Sequence, residues 1–236
     1  MLAPTVGHYQ FVRDDGQPLD FQPGQFIQVH FDYADGTAAK RSYSLATIHD
    51  HALGPGEAVE IAVSFVPGGA ATALFEGLQI GAHVTGSGPF GRFCLQANDR
   101  NGRYLLIATG TGVTPYRSML PLLRQAIVER GVEVVLLQGA RTQAELLYGD
   151  DFRAFAEATP GFRYMPCLSR ETPPGMYPDA RSGYVQQQLA ELAPDPARDI
   201  AYLCGNPVMV DACFEALAAS GLKPPQLRRE KYVSSK

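Results

Sequence analysis

The sequence predicts a two-domain architecture, an N-terminal antiparallel β-barrel followed by a C-terminal α/β unit with a doubly wound parallel sheet. Three observations carry this expectation. Residues 1–97 hold short apolar runs with partial period-two alternation, cut by glycine and proline turns, as in small antiparallel barrels. From residue 103 onward, strand-like runs alternate with helical stretches, which is the βαβ pattern of a parallel sheet. Between them, the polar run Gln96 to Gly102 reads as a linker. The expected domains are therefore 1–97 and 103–236.

Taken in order, Phe26 to Phe31 alternates in part and Val59 to Phe65 alternates cleanly, so both read as half-buried strands. Turn chemistry recurs at Asp14-Asp15-Gly16, Gln22-Pro23-Gly24, Asp35-Gly36, Gly54-Pro55-Gly56 and Pro67-Gly68-Gly69. In the second half, Tyr104 to Ala108 is a short buried run and Val132 to Leu137 is β-branched. Arg163 to Leu168 and Ile200 to Leu203 are further strand candidates. Helices are expected over Pro115 to Arg130, Glu145 to Glu157 with an interruption near Gly149, Val185 to Leu192, and Pro207 to Ala219. Asn206 should cap the last of these, with Gly221 just past its end. Pro121 should kink or break the first.

Composition narrows the function. Of 236 residues, 45% are hydrophobic and 19% charged, with formal charge −4, so no basic excess exists to neutralise nucleic-acid phosphates. No apolar run approaches the ~20 residues that span a bilayer. The N-terminus lacks a signal-peptide pattern. Cys94, Cys167, Cys204 and Cys213 are scattered, which supports neither an iron–sulfur cluster nor a zinc site and leads us to expect free thiols in the cytoplasm.

Chemistry-bearing motifs concentrate at glycine turns. In Thr109-Gly110-Thr111-Gly112-Val113-Thr114-Pro115, a strand ends in a turn that starts a helix. Thr114 is the expected N-cap and Pro115 suits the first helical position. The free N–H groups of such a turn attract a phosphate. Gly69-Ala70-Ala71-Thr72 is a second turn of this kind. Arg41 and Tyr43 share one strand face, which suits a ligand carrying both a phosphate and a flat ring.

Five motifs follow in one order: Arg41-x-Tyr43-Ser44, Gly69-x-x-Thr72, Gly88-Pro89-Phe90-Gly91, Gly110 to Pro115, and Cys204-Gly205-Asn206-Pro207-Val208-Met209. This set resembles the ferredoxin–NADP reductase superfamily, and most of all its compact bacterial ferredoxin/flavodoxin–NADP reductases. The resemblance implies an FAD-binding barrel, an NADP(H)-binding α/β domain, and a flavoenzyme that moves a hydride between NADPH and FAD and single electrons to or from ferredoxin or flavodoxin. Arg41 would hold the FAD pyrophosphate with Gly69, Ala70, Ala71 and Thr72. Tyr43 would pack on the flavin, and Ser44 would sit near its N5. Thr109, Gly110, Thr111, Gly112 and Pro115 would hold the NADPH pyrophosphate, and Cys204 and Gly205 would border the nicotinamide. In the tail, Tyr232 would cover the flavin face, with Glu230 as the nearby carboxylate. The catalytic set would then be Ser44, Cys204, Glu230 and Tyr232.

Arg141 and Arg170 match positions that are basic in NADP-using members. Where relatives often carry a third arginine this chain has Tyr184, and Arg181 is the expected substitute; NAD(H) stays open as the alternative. Relatives also have a barrel strand ahead of Phe11, so the barrel is expected to be short there. Arg92, Arg228, Arg229 and Lys231 are expected to form a basic patch for an acidic carrier. The same motifs fit an NAD(P)H-dependent flavin reductase or an oxygenase reductase component. A non-catalytic nucleotide-binding subunit would keep both glycine turns but would have no need of the Tyr232 tail.

Overall fold

The structure, a computed structural model, describes residues 1–33, 35–173 and 175–233. In the first lobe β1 (Val6–Val12), β2 (Phe26–Asp32), β3 (Ala38–Ser44), β4 (Ala58–Ser64) and β5 (Thr85–Phe90) are joined by turns, with α1 (Ala70–Gly77) preceding β5. All pairings are antiparallel: β1 with β4, and β2 with β3 on one side and β5 on the other. A bridge between Leu45 and Ile61 links the two sheets. Period two decides which residues turn inward. Val59, Ile61 and Val63 of β4 enter a core with Val29, Leu45 and Phe75. The intervening Glu60 and Ala62 face the second lobe: Ala62 joins its core, and Glu60 accepts a hydrogen bond from Arg117 at 2.5 Å.

The lobe is a barrel open along one seam. Among the described residues no ladder joins β1 to β5, and a cleft of about 520 Å³ separates these edges, lined by Phe11, Leu19, Ile27, Val29 and Val59. Among the described residues no strand precedes β1, the strand that contains Phe11. β1 itself reaches back from Phe11 to Val6, and the gap lies between β1 and β5.

The second lobe is one parallel sheet. β6 (Arg103–Thr109), β7 (Glu133–Ala140), β8 (Phe162–Leu168), β9 (Arg181–Ser182), β10 (Asp199–Gly205) and β11 (Leu227–Lys231) stand in the order β11-β10-β6-β7-β8-β9. Alternate side chains of the central strands feed two cores. Tyr104, Leu106, Val134 and Leu136 pack with residues of α2 (Thr114–Ser118), α3 (Leu120–Arg130) and α4 (Gly149–Ala158). Leu105, Ile107, Val135 and Leu137 pack with Met209, Val210, Cys213 and Leu217 of α5 (Pro207–Ala219) on the other face. Both faces are covered, as a central parallel strand requires. Strand order reverses between β6 and β10, so the carboxyl ends of these two strands frame a ligand crevice.

Local expectations meet the structure unevenly. Asn206 caps α5, its side chain accepting from the Val208 and Met209 N–H groups at 2.9 and 3.4 Å. The first helix is broken at Met119 into α2 and α3, with Pro121 in the opening turn of α3. Thr114 is not an N-cap. The turn Gly110–Val113 is already 3₁₀-helical, so Thr114 lies inside the helical run, with its hydroxyl buried and without a hydrogen-bond partner. Val185 to Leu192 forms two short 3₁₀ turns rather than an α-helix. Of Glu145 to Glu157, only the part from Gly149 onward is α-helical. Among the described residues no helix is long and apolar enough to cross a membrane, and no cluster of three or more His, Cys, Asp or Glu could hold a metal.

Candidate active site

Two clefts meet at the reversal point. The first, of about 590 Å³, lies between the lobes; Arg41, Tyr43, Ser44, Gly69, Ala70, Ala71, Thr72, Thr111, Glu230 and Tyr232 all line it. The second, of about 440 Å³, is walled by Thr109, Gly110, Arg141, Glu145, Tyr184 and Asn206 among others. Ser64 lines both clefts, and its hydroxyl lies 3.4 Å from that of Thr111, so the glycine turn is the partition between them.

The first cleft is built for an anion with a flat ring. β3 sends Arg41 and Tyr43 to one side because its pleat repeats every two residues. The Arg41 guanidinium donates to the Tyr33 hydroxyl at 2.8 Å and stands 5.6 Å from the Phe31 ring centroid, which fixes its direction. Facing it, α1 begins without a side-chain cap, so the N–H groups of its first turn lack partners within the helix. The Thr72 hydroxyl accepts from the Val66 N–H at 2.8 Å, which leaves its own proton free to donate. Tyr43 packs edge-on to Phe75 at 5.2 Å, and burial pushes its phenol up to about 12, so it stays neutral. The unpartnered Thr114 hydroxyl also lines this cleft. A guanidinium, free amide donors and the Tyr43 ring fit a flavin dinucleotide.

The chain's last described residues close this cleft. β11 pairs in parallel with β10 and brings Glu230 beside Cys204. Tyr232 is anchored by its N–H to the Gly205 carbonyl at 2.8 Å, and its hydroxyl forms a short hydrogen bond with the Ser44 hydroxyl. Ser44, Cys204, Glu230 and Tyr232 are thus drawn together from three strands and the tail. Burial lifts the Glu230 carboxyl to about 7. Burial first, then the Glu230 charge, raises the Cys204 thiol well above its usual range. Burial also holds the Tyr232 phenol protonated.

Other predicted residues stand behind the clefts. A Cβ on Gly112 would meet the Cys204 carbonyl oxygen at 2.3 Å, and one on Gly205, at φ +125°, would meet the Thr109 carbonyl oxygen at 2.5 Å. These two glycines let the β6 turn and the end of β10 touch. Pro115 is buried in the same junction. Arg170 and Arg181 do not line the second cleft; Arg181 gives two hydrogen bonds to Glu191, at 2.9 and 2.5 Å. The expected basic patch is largely neutralised. Arg228 is paired with Asp99 and lies over the Tyr202 ring at 5.0 Å. Lys231 and Arg229 share Asp211 at 2.6 and 3.5 Å. Sequence reading missed Ser64 and Glu145. Ser64 carried no motif, whereas the four-residue spacing from Arg141 to Glu145 was a signal.

The oxidoreductase FAD-binding domain model matches residues 3–94, and the oxidoreductase NAD-binding domain model matches residues 106–215. An aromatic O-demethylase reductase subunit from Amycolatopsis sp. is 35% identical over 222 residues, covering 92% of this chain and 62% of that protein. Ferredoxin–NADP reductase B from Sorangium cellulosum is 32% identical over 239 residues, covering 98% of this chain and 93% of that protein. A solved cytochrome P450 reductase of Amycolatopsis superposes with TM-score 0.82 at 33% identity, covering 98% of this chain and 66% of that one. The chain therefore spans less than two thirds of the Amycolatopsis demethylase subunit but nearly all of the Sorangium protein.

Proposed function

The chain belongs to the ferredoxin–NADP reductase superfamily, and from this premise we propose that it is an FAD-dependent oxidoreductase that passes a hydride from NAD(P)H to flavin and then single electrons to a separate carrier. The observation that carries this reading is the pair of clefts that share Ser64 and flank the turn Thr109 to Thr111. A dinucleotide held in each would direct its flat ring toward their common boundary, on the first-cleft side of which Tyr232 stands. In this reading residues 1–97 hold FAD and residues 103–236 hold the nicotinamide nucleotide.

Bound here, FAD would supply two-electron hydride acceptance and one-electron release. Arg41 and the amides of Ala70, Ala71 and Thr72 would hold its diphosphate, and Tyr43 would orient its ring. The glycine turn and the Asn206 end of β10 receive the nicotinamide nucleotide. Tyr232 excludes water from the flavin face until the nucleotide arrives. Its N–H bond to the Gly205 carbonyl holds the strand end independently of the ring. Glu230, titrating near neutrality, holds or yields a proton at its carboxyl oxygen, while the neutral Cys204 thiol leaves the adjoining space uncharged.

The carrier is a ferredoxin, as the Sorangium relative's name suggests, or a flavodoxin, or an oxygenase component, as the demethylase subunit suggests. The four described cysteines are free and buried, which suits a reducing cytoplasm. Gel filtration of FAD-loaded protein, followed by NADH- and NADPH-driven reduction of a ferredoxin, tests the proposal. Yellow protein that reduces the ferredoxin supports it. Flavin that elutes free and is itself the reduced product points to a flavin reductase.

A further inference from the structure

β11 lays its side chains on two faces, because the pleat repeats every two residues. Arg229 and Lys231 turn to Asp211 of α5. Arg228 and Glu230 take the other face, in register with Tyr202 and Cys204 of β10. One pleat repeat, roughly 6–7 Å of strand, separates them, yet the Arg228 guanidinium is engaged elsewhere. It donates to the two Asp99 carboxylate oxygens at 2.7 and 2.5 Å, to the Gln96 side-chain oxygen at 3.2 Å, and to the Tyr202 hydroxyl in a short contact. Asp99 is only 5% exposed and also accepts from the Tyr104 hydroxyl at 2.9 Å. Burial opposes the Asp99 charge, and the Arg228 bonds outweigh it, so the carboxyl stays below its ordinary range. The groups near enough to sense Glu230 are the thiols of Cys94 and Cys204 and the phenols of Tyr116 and Tyr232, all kept neutral by burial.

We propose that Asp99 is a positioning residue for the proton site at Glu230: by holding the Arg228 guanidinium against the linker, it keeps that cation from acting on the Glu230 carboxyl beside the flavin. This inference rests on the reading of Glu230 as the proton-holding group of the first cleft. Neither Asp99 nor Arg228 lines that cleft, so Asp99 acts at a distance, through Arg228. Without the Asp99 charge, the guanidinium stands uncompensated one pleat repeat from Glu230 and favours its ionised form. Without the Arg228 charge, the Asp99 carboxylate does the reverse. At such separations in a partly buried site, either change moves the Glu230 titration by about one pH unit.

FAD-loaded wild type, Asp99→Asn, Arg228→Met and the double variant are compared by anaerobic rapid mixing with NADH and with NADPH across the neutral pH range. Wild type is expected to show an inflection in the rate of flavin reduction near pH 7, where burial places Glu230, and Glu230→Gln to lack it. Asp99→Asn should lower the inflection by about one pH unit and Arg228→Met should raise it by about as much. The double variant should return it to the wild-type position. A purely structural role would slow reduction without moving the inflection in opposite directions. An inflection that stays in place in Asp99→Asn, or that moves the same way in both single variants, overturns the inference and leaves the reading of Glu230 intact. If one single variant does not fold, the direction of shift in the other decides. If Glu230→Gln keeps the wild-type inflection, the reading of Glu230 falls, and the inference with it.

Discussion

Arg41 and Glu230 divide the electrostatic work of the first cleft. Arg41 is held by Tyr33 and Phe31 but keeps donors for a diphosphate. Charge-assisted contacts of this kind contribute on the order of 1.5–3 kcal/mol. Arg41→Ala should therefore weaken FAD binding by roughly ten- to a hundredfold, read by fluorescence titration of the apoprotein; unchanged affinity would remove Arg41 from the site. Glu230 shows the opposite balance. Its folded value of about 7 stands above the ordinary 4.5 because burial penalises the ionised form. Between pH 4.5 and 7 the folded chain thus keeps a proton that the unfolded chain has released. Stability must fall as pH rises through this window, by roughly 3 kcal/mol at most. Glu230→Gln should flatten that slope in urea unfolding between pH 5 and 8. Parallel slopes for the two proteins would contradict the buried-acid assignment.

The junction of β6 and β10 sets the geometry between the clefts. Its glycines are not interchangeable with alanine, because a Cβ on Gly112 meets backbone rather than a movable side chain. Gly112→Ala should cost more than about 2 kcal/mol in chemical unfolding, as overpacking does. Asn206→Ala loses the cap of α5 and should cost about 1 kcal/mol; a neutral result at either position would mean that the junction relaxes freely. These elements were also the most legible in the sequence. Buried runs such as Tyr104 to Ala108 and the Asn206-Pro207 start signal act over a few neighbouring residues, and the structure keeps both. Long-range facts were less legible. Thr114 looked like a cap because its spacing is right, but the preceding 3₁₀ turn moves the helix start upstream. Arg228 looked like a surface cation, whereas Asp99, distant in sequence, takes it. Glu145 was overlooked beside Arg141 because a charge of either sign reads as solvated until a cavity appears next to it.

Across the whole molecule, Arg117 is one clamp between the lobes, beside the Ser44–Tyr232 contact. From α2 it donates to Glu60 at 2.5 Å, to the Ala46 carbonyl at 2.7 Å and to Asp151 at 2.7 Å, and it lies over the Tyr148 ring at 4.7 Å. His8, first among its partners, and then Arg117 and Gln10 hold the Glu60 carboxyl down to about 2. A depressed acid contributes stability that is present above its unfolded value and is lost as pH falls from 4.5 toward 2. Glu60→Gln should cost about 3 kcal/mol at neutral pH, because it leaves Arg117 half-compensated at the seam. It should also reduce the acid sensitivity of unfolding; a variant as stable and as acid-labile as wild type would deny the clamp its role. The clamp matters because the proposed reaction needs both clefts in register. That need is tested most directly by anaerobic rapid mixing of FAD-loaded protein with NADH while the visible flavin band is followed. The account predicts complete bleaching of protein-bound flavin in a step that saturates with NADH. Flavin that stays bound and yellow in excess NADH and NADPH would contradict it.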